Sequence, residues 1–139
     1  MCGITGLFRL NASSCKANII QKMNTTLNHR GPDDNGVWEG APGVALGHCR
    51  LAVQDLSQDG HQPMHSACDR FVMVFNGEVY NFAEIRQSLS QQSFKGHSDS
   101  EVVLCAIAEF GLKAALRKFN GMFALAIWDK QQKTLSLFF

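Results

Sequence analysis

At 139 residues the chain is long enough for one domain that buries about two-thirds of its unfolded surface, and too short for a second, so a single domain over residues 1–139 is expected. A net charge of +1, with 18% charged and 45% hydrophobic residues, describes a soluble globular protein with no electrostatic footprint for nucleic acid or a membrane surface. The longest apolar run, Met122 to Trp128, is too short to span a bilayer, Met1 to Leu10 lacks the form of a secretory signal, and five cysteines in no framework spacing fit reduced thiols, so a cytoplasmic location is expected.

In chain order, Gly3 to Leu10 reads as a short strand, and Cys15 to Leu27 carries Ile19, Ile20, Met23 and Leu27 at helical spacing. Asn11-Ala12-Ser13 and Asn24-Thr25-Thr26 match the glycosylation acceptor pattern but, without secretion, read as ordinary polar positions. His29-Arg30-Gly31-Pro32-Asp33 stops the helix, because Gly suits the left-handed position past a C-terminus and Pro cannot continue it. Val37 to Val53 alternates short β-like pieces with Gly40, Gly43 and Gly47, and Phe71 to Phe75 has the character of a buried strand. Helical pattern returns in Phe82 to Leu89 and in Ser100 to Lys118, the latter interrupted at Gly111, with Ser98 or Asp99 as its cap. Met122 to Trp128 and Thr134 to Phe139 form a hairpin across the polar turn Asp129 to Lys133. Helices clustered between antiparallel strand groups predict an α+β architecture. The apolar, mid-strand ending Leu137-Phe138-Phe139 would leave an uncovered edge, which suggests a truncated domain.

Cys2 stands directly after Met1, so removal of that methionine would place thiol and α-amine on one residue. Such a nucleophile can use its own amine as base, and free α-amines and thiols titrate near 8 and 8.5, close to working range. The plainer reading is a small buried hydrophobe at the start of a strand. Asn76-Gly77 is a common two-residue hairpin signal, yet an Asn amide beside a Gly N–H also supplies two donors that can converge on an oxyanion. Arg50 could grip a carboxylate and Asp99 an ammonium, together holding the head of an α-amino acid, or each could be a solvated charge or a helix cap. Cys49, His61, His65 and Cys68 are close in sequence but match no tetrahedral metal spacing, and no phosphate-binding glycine loop occurs.

Taken together, Met1-Cys2-Gly3-Ile4, His29 to Asp33, Gly47 to Ser57 with Gln62-Pro63-Met64, Phe75 to Asn81, Ser98 to Glu101 and Phe119 to Asp129 resemble, in order, the glutaminase domain of asparagine synthetases. Pro32 and the pair Arg50-Leu51 are similar to that branch of the class II glutamine amidotransferases, while Ala52, Val53, Val79 and Ser100 are mild departures. The resemblance implies an N-terminal nucleophile hydrolase fold, a four-layer αββα sandwich of two antiparallel sheets between helix layers, here incomplete at its C-terminus. It implies hydrolysis of L-glutamine to glutamate and ammonia, the ammonia serving asparagine synthesis from aspartate in the full-length protein.

Carried over by position, the resemblance makes Cys2 the nucleophile and its freed amine the base. Asn76 and the Gly77 backbone become the oxyanion hole, Arg50 the partner of the glutamine α-carboxylate, and Glu78 and Asp99 the neighbours of its α-ammonium. The backbone of Arg50, Leu51, Ala52, Val53 and Gln54 would line the pocket. No metal or cofactor is expected in this chain, since ATP and magnesium would belong to a synthetase domain outside it. The implied partners are L-glutamine, that synthetase domain and a second copy in a homodimer, with no nucleic acid and no membrane. The alternative is a catalytically inactive fragment or isoform acting as an interaction module.

Overall fold

The computed structural model describes residues 2–9, 17–40, 43–53, 56–90 and 93–139. Strand β1 (Gly3–Phe8) and helix α1 (Ala17–Thr26) are followed by β2 (Asp34–Glu39) and β3 (Val44–Arg50). A 3-10 turn at Gln58–Gly60 leads to β4 (Met64–His65) and β5 (Phe71–Val79). Helices α2 (Phe82–Ser88), α3 (Asp99–Phe110) and α4 (Leu112–Leu116) precede the hairpin of β6 (Gly121–Asp129) and β7 (Thr134–Phe138). Among the described residues no helix is long and apolar enough to cross a membrane.

The strands form two antiparallel sheets, ordered β1-β3-β2 and β4-β5-β6-β7. Side-chain alternation, the period of two inherent to a pleated strand, assigns each face. On β5, Val72 and Val74 join Val44, Leu46, Ala126 and Trp128 between the sheets. Met73 and Phe75, pointing the other way, pack with Val103, Leu104 and Ile107 of α3. That double burial explains why Phe71 to Phe75 is continuously apolar rather than alternating. On the outer face of the first sheet, Ile20 of α1 meets Ala45, Leu7 and Val37. The layers therefore run α1, three-stranded sheet, four-stranded sheet, then α2 to α4, as the αββα expectation requires.

One competing reading is excluded and some local expectations are corrected. Asn76-Gly77 makes no hairpin turn: β5 continues through both, with Asn76 opposite Ala124 and Gly77 opposite Phe123 on β6. Gly31 takes no left-handed conformation; it is required because a Cβ there would lie 2.3 Å from the Cys49 carbonyl oxygen. Asn24 is no ordinary polar position but fully buried, accepting a hydrogen bond from Thr5 Oγ1 at 2.5 Å and donating to the Gly36 carbonyl at 3.0 Å. It so bolts α1 to β1 and β2. Ser98 stands at the N-cap of α3 but makes no side-chain cap bond.

Candidate active site

The sheets face each other across apolar side chains until the end where β1 begins and β3 ends, and there the same inward faces turn polar. On β1 the inward position before Ile4 is Cys2, on β3 those after Leu46 are His48 and Arg50, and on β5 the one after Val74 is Asn76. Cys2, Arg50, Leu51, Val53, Asn76, Gly77, Glu78 and Asp99 line one cavity of about 270 Å³. Ala52 is not in that lining; its amide donates to Asp33 Oδ2 at 2.8 Å. Gln54 lies outside the described residues, as does Met1. A larger cavity beside the 3-10 turn, lined by His61, His65, Glu101 and Cys105, takes in none of the predicted site residues.

Cys2 is half-buried, and its sulfur receives the Leu51 amide at 3.4 Å, a donor that suits a sulfur carrying negative charge. Arg30 Nε donates to the Cys2 carbonyl at 3.2 Å and anchors the residue's backbone. Sequence reasoning missed that contact, because the string containing Arg30 was accounted for as a helix stop. Cys49, beside the site in sequence, points away to α1, donating to the Asn24 carbonyl at 3.3 Å, and burial pushes its thiol up.

Asn76 lines the cavity, and its Oδ1 is buried with no hydrogen-bond partner among the described residues. A buried acceptor without a partner costs about 1–3 kcal/mol of stability. Gly77 has φ +142, a conformation L side chains rarely adopt, and a Cβ there would meet the Met122 carbonyl at 2.2 Å. Only glycine brings this strand so close to β6 while leaving its own surface open to the cavity.

Arg50 is buried at 7% exposure, and its Nη1 donates to the Ser57 carbonyl at 2.6 Å. Gly60 makes room for the guanidinium, since a Cβ there would lie 2.1 Å from Nη2. The 3-10 turn thus holds the cation at the cavity wall. Across the cavity Asp99, at the start of α3, accepts the Val79 amide at 2.9 Å. Burial holds its carboxyl above the usual range, the Val79 amide opposing and the nearby Glu78 charge adding to the rise. A cation placed beside Glu78 and Asp99 would relieve both effects. Cavity, thiol, cation and paired carboxyls together suit a small zwitterion whose far end reaches a nucleophile.

Of the four metal-type side chains close in sequence, Cys49 faces α1, His61 Nδ1 lies 2.6 Å from Asp34 and His65 Nδ1 3.2 Å from Asp69. Among the described residues no three His, Cys, Asp or Glu side chains converge to hold an ion.

Comparison with known proteins places this architecture. The family model of the glutamine amidotransferase domain matches residues 1–138, and the chain belongs to that family. More particularly, it is 38% identical to asparagine synthetase [glutamine-hydrolyzing] 3 of Bacillus subtilis over 97% of its own length and 22% of that protein. It is 35% identical to asparagine synthetase [glutamine-hydrolyzing] 1 of the same organism, with the same coverage of each chain. Outside that group it is 34% identical to amidase chry2 of Gibberella zeae over 84% of its length and 18% of that protein. The chain thus spans about a fifth of the length of these curated relatives.

Proposed function

We propose that this chain is a glutaminase that hydrolyses L-glutamine to glutamate and ammonia through a thioester on Cys2. The observation that carries the reading is one cavity in which Cys2, Asn76 beside Gly77, Arg50, and the Glu78 and Asp99 carboxyls meet. Arg50 pairs with the substrate α-carboxylate, and Glu78 with Asp99 holds the α-ammonium. The side-chain amide is thereby presented to Cys2, an orientation effect worth several kcal/mol.

The Cys2 amine, freed by loss of Met1, takes the thiol proton. The thiolate attacks the amide carbon, and the Asn76 side-chain amide and Gly77 N–H donate to the oxyanion. On collapse the amide nitrogen takes that proton back from the amine and leaves as ammonia, and water then cleaves the thioester to release glutamate. The leaving ammonia supports asparagine synthesis from aspartate in a longer protein whose synthetase region uses ATP and magnesium. The four described cysteines, Cys2, Cys49, Cys68 and Cys105, are free thiols, which supports action in the cytoplasm.

The deciding experiment compares wild type with Cys2→Ala in glutamate release from glutamine, with labelling by a diazoketone analogue of glutamine read by intact mass. Wild type is expected to lose Met1, gain one label on Cys2 and turn over glutamine, and Cys2→Ala to do neither of the last two. Turnover retained in Cys2→Ala would refute the mechanism.

A further inference from the structure

Strand β5 is paired with β6 along its whole length, from Phe71 opposite Asp129 to Val79 opposite Gly121, but β4 covers its other edge only at Val72 and Met73. An extended strand turns the backbone groups of alternate residues to the same edge, so Phe71, Phe75, Gly77 and Val79 present theirs where β4 is short. Side chains and one short loop take over there. Ser66 engages both the amide and the carbonyl of Phe71 at 3.0 Å. Asp99 accepts the amide of Val79.

At Phe75 the substitution is complete. Gln62 Oε1 accepts its N–H at 2.6 Å, and His48 Nε2 lies 3.1 Å from its carbonyl oxygen. Neither side chain belongs to the strands flanking β5: His48 comes from β3 of the other sheet, and Gln62 from the loop between the 3-10 turn and β4. Both are buried, at 1% and 5% exposure. A carbonyl only accepts, so His48 Nε2 carries the hydrogen, and burial supports the neutral ring by bringing its pKa down to about 4.

The carbonyl that His48 holds belongs to the peptide joining Phe75 to Asn76, one residue before the donors assigned to the oxyanion. We propose that His48 and Gln62 are positioning residues for that oxyanion hole, clamping the Phe75 backbone from outside its sheet so that the Asn76 amide and Gly77 N–H keep one fixed aim. This inference rests on the glutaminase reading. Its physical content is that an unpaired strand edge has freedom to shift, and donors act well on a developing charge only if they need no reorganisation when it appears. Loosening them weakens the transition state more than the bound substrate, so the loss falls on kcat and not on KM.

The test uses the full chain with His48→Leu, His48→Gln, Gln62→Leu and Gln62→Glu. Leucine removes the hydrogen bond at similar volume, whereas a glutamine at 48 restores a donor and a glutamate at 62 an acceptor oxygen. Each leucine variant is expected to lower kcat about tenfold, the scale of a weakened oxyanion donor, with KM within twofold of wild type. Alkylation of Cys2 by iodoacetamide, a displacement with no oxyanion, should be unchanged, and the conservative variants should recover most of kcat. A rise in KM with kcat intact would put the effect on Arg50, two residues beyond His48, and overturn the proposal. Equal losses in the leucine and conservative variants would also overturn it.

Absence of turnover in wild type would instead refute the glutaminase reading, and the clamp is then judged by hydrogen exchange of the Phe75 to Gly77 amides. Faster exchange in the leucine variants, reversed in the conservative ones, would support it. Unchanged exchange would overturn it.

Discussion

The two ends of the space between the sheets are built from the same strands and the same faces, yet they do opposite things. At one end Ile4, Val44, Leu46, Val72, Val74 and Trp128 close on one another and set the distance between the sheets. At the other, the next inward positions along β1, β3 and β5 are Cys2, His48 with Arg50, and Asn76, and a cavity opens. No change of backbone type separates the two ends. Alternation continues, and only the polarity of the inward residues changes, so the apolar end acts as a rigid spacer that presents the polar end. Preorganisation of the site is then a property of packing some distance from the chemistry.

This contrast predicts that stability and catalysis divide along the sandwich. Trp128→Ala at the apolar end should cost about 3–5 kcal/mol in urea unfolding, the range for a large buried aromatic, while kcat per folded molecule stays near wild type. Asn76→Ala at the polar end should do the reverse. Its kcat should fall about a hundredfold to a thousandfold, and its unfolding midpoint should hold or rise, because the substitution also removes a buried acceptor without a partner. A large loss of stability in Asn76→Ala would break the division.

His48 sits on the boundary between the two ends, and its ionisation gives a pH test. Its folded pKa of about 4 lies below the ordinary 6.5, chiefly through burial, with Arg50 and His61 adding to the fall and the Phe75 carbonyl and Asp34 opposing it. Between those values the unfolded chain binds the extra proton. The contribution is therefore fully present above pH 6.5 and is lost as pH falls toward 4, up to about 3 kcal/mol. Asp99, raised by burial, acts in the opposite sense, opposing folding as pH rises through the carboxylate range. Urea midpoints at pH 7 and pH 4.5 should differ clearly in wild type and less in His48→Gln; equal shifts would remove His48 from this role.

The smallest effect concerns the outer face. Asn24→Leu should cost about 1–3 kcal/mol by stranding the Thr5 hydroxyl and the Gly36 carbonyl in the interior. Calorimetry checks this, with kcat per folded molecule unaffected because α1 lies across the sheet from the cavity.

Much of this organisation is legible in the linear chain. The order of strands and helices, the terminal hairpin and the interruption at Gly111 all follow from short-range periodicity and breakers. Cys2, Arg50, Asn76, Gly77 and Asp99 were identifiable by chemical type and Glu78 by the family resemblance, and they do share a cavity. What misled was local pattern with two solutions. Asn-Gly is a hairpin signal unless a neighbouring strand runs past it, and β6 does. Gly31 reads as a helix cap until the close approach of β3 shows what it leaves room for. The contacts of Arg30 and Asn24 could not be read, because their partners, the Cys2 carbonyl and the strands under α1, are distant in sequence.

By itself, the amino-acid sequence determined which positions face the same way, since pleating and helical pitch are local and repeat every two or 3.6 residues. It also determined the chemistry those positions carry: a thiol at residue 2, a guanidinium at 50, an amide beside a glycine at 76 and 77. Tertiary structure alone decided that these meet at one end of the sandwich, and that the edge of β5 left bare by a two-residue β4 is closed by His48 and Gln62. Which strand edge stays open depends on pairings between distant segments, and no short-range pattern encodes them.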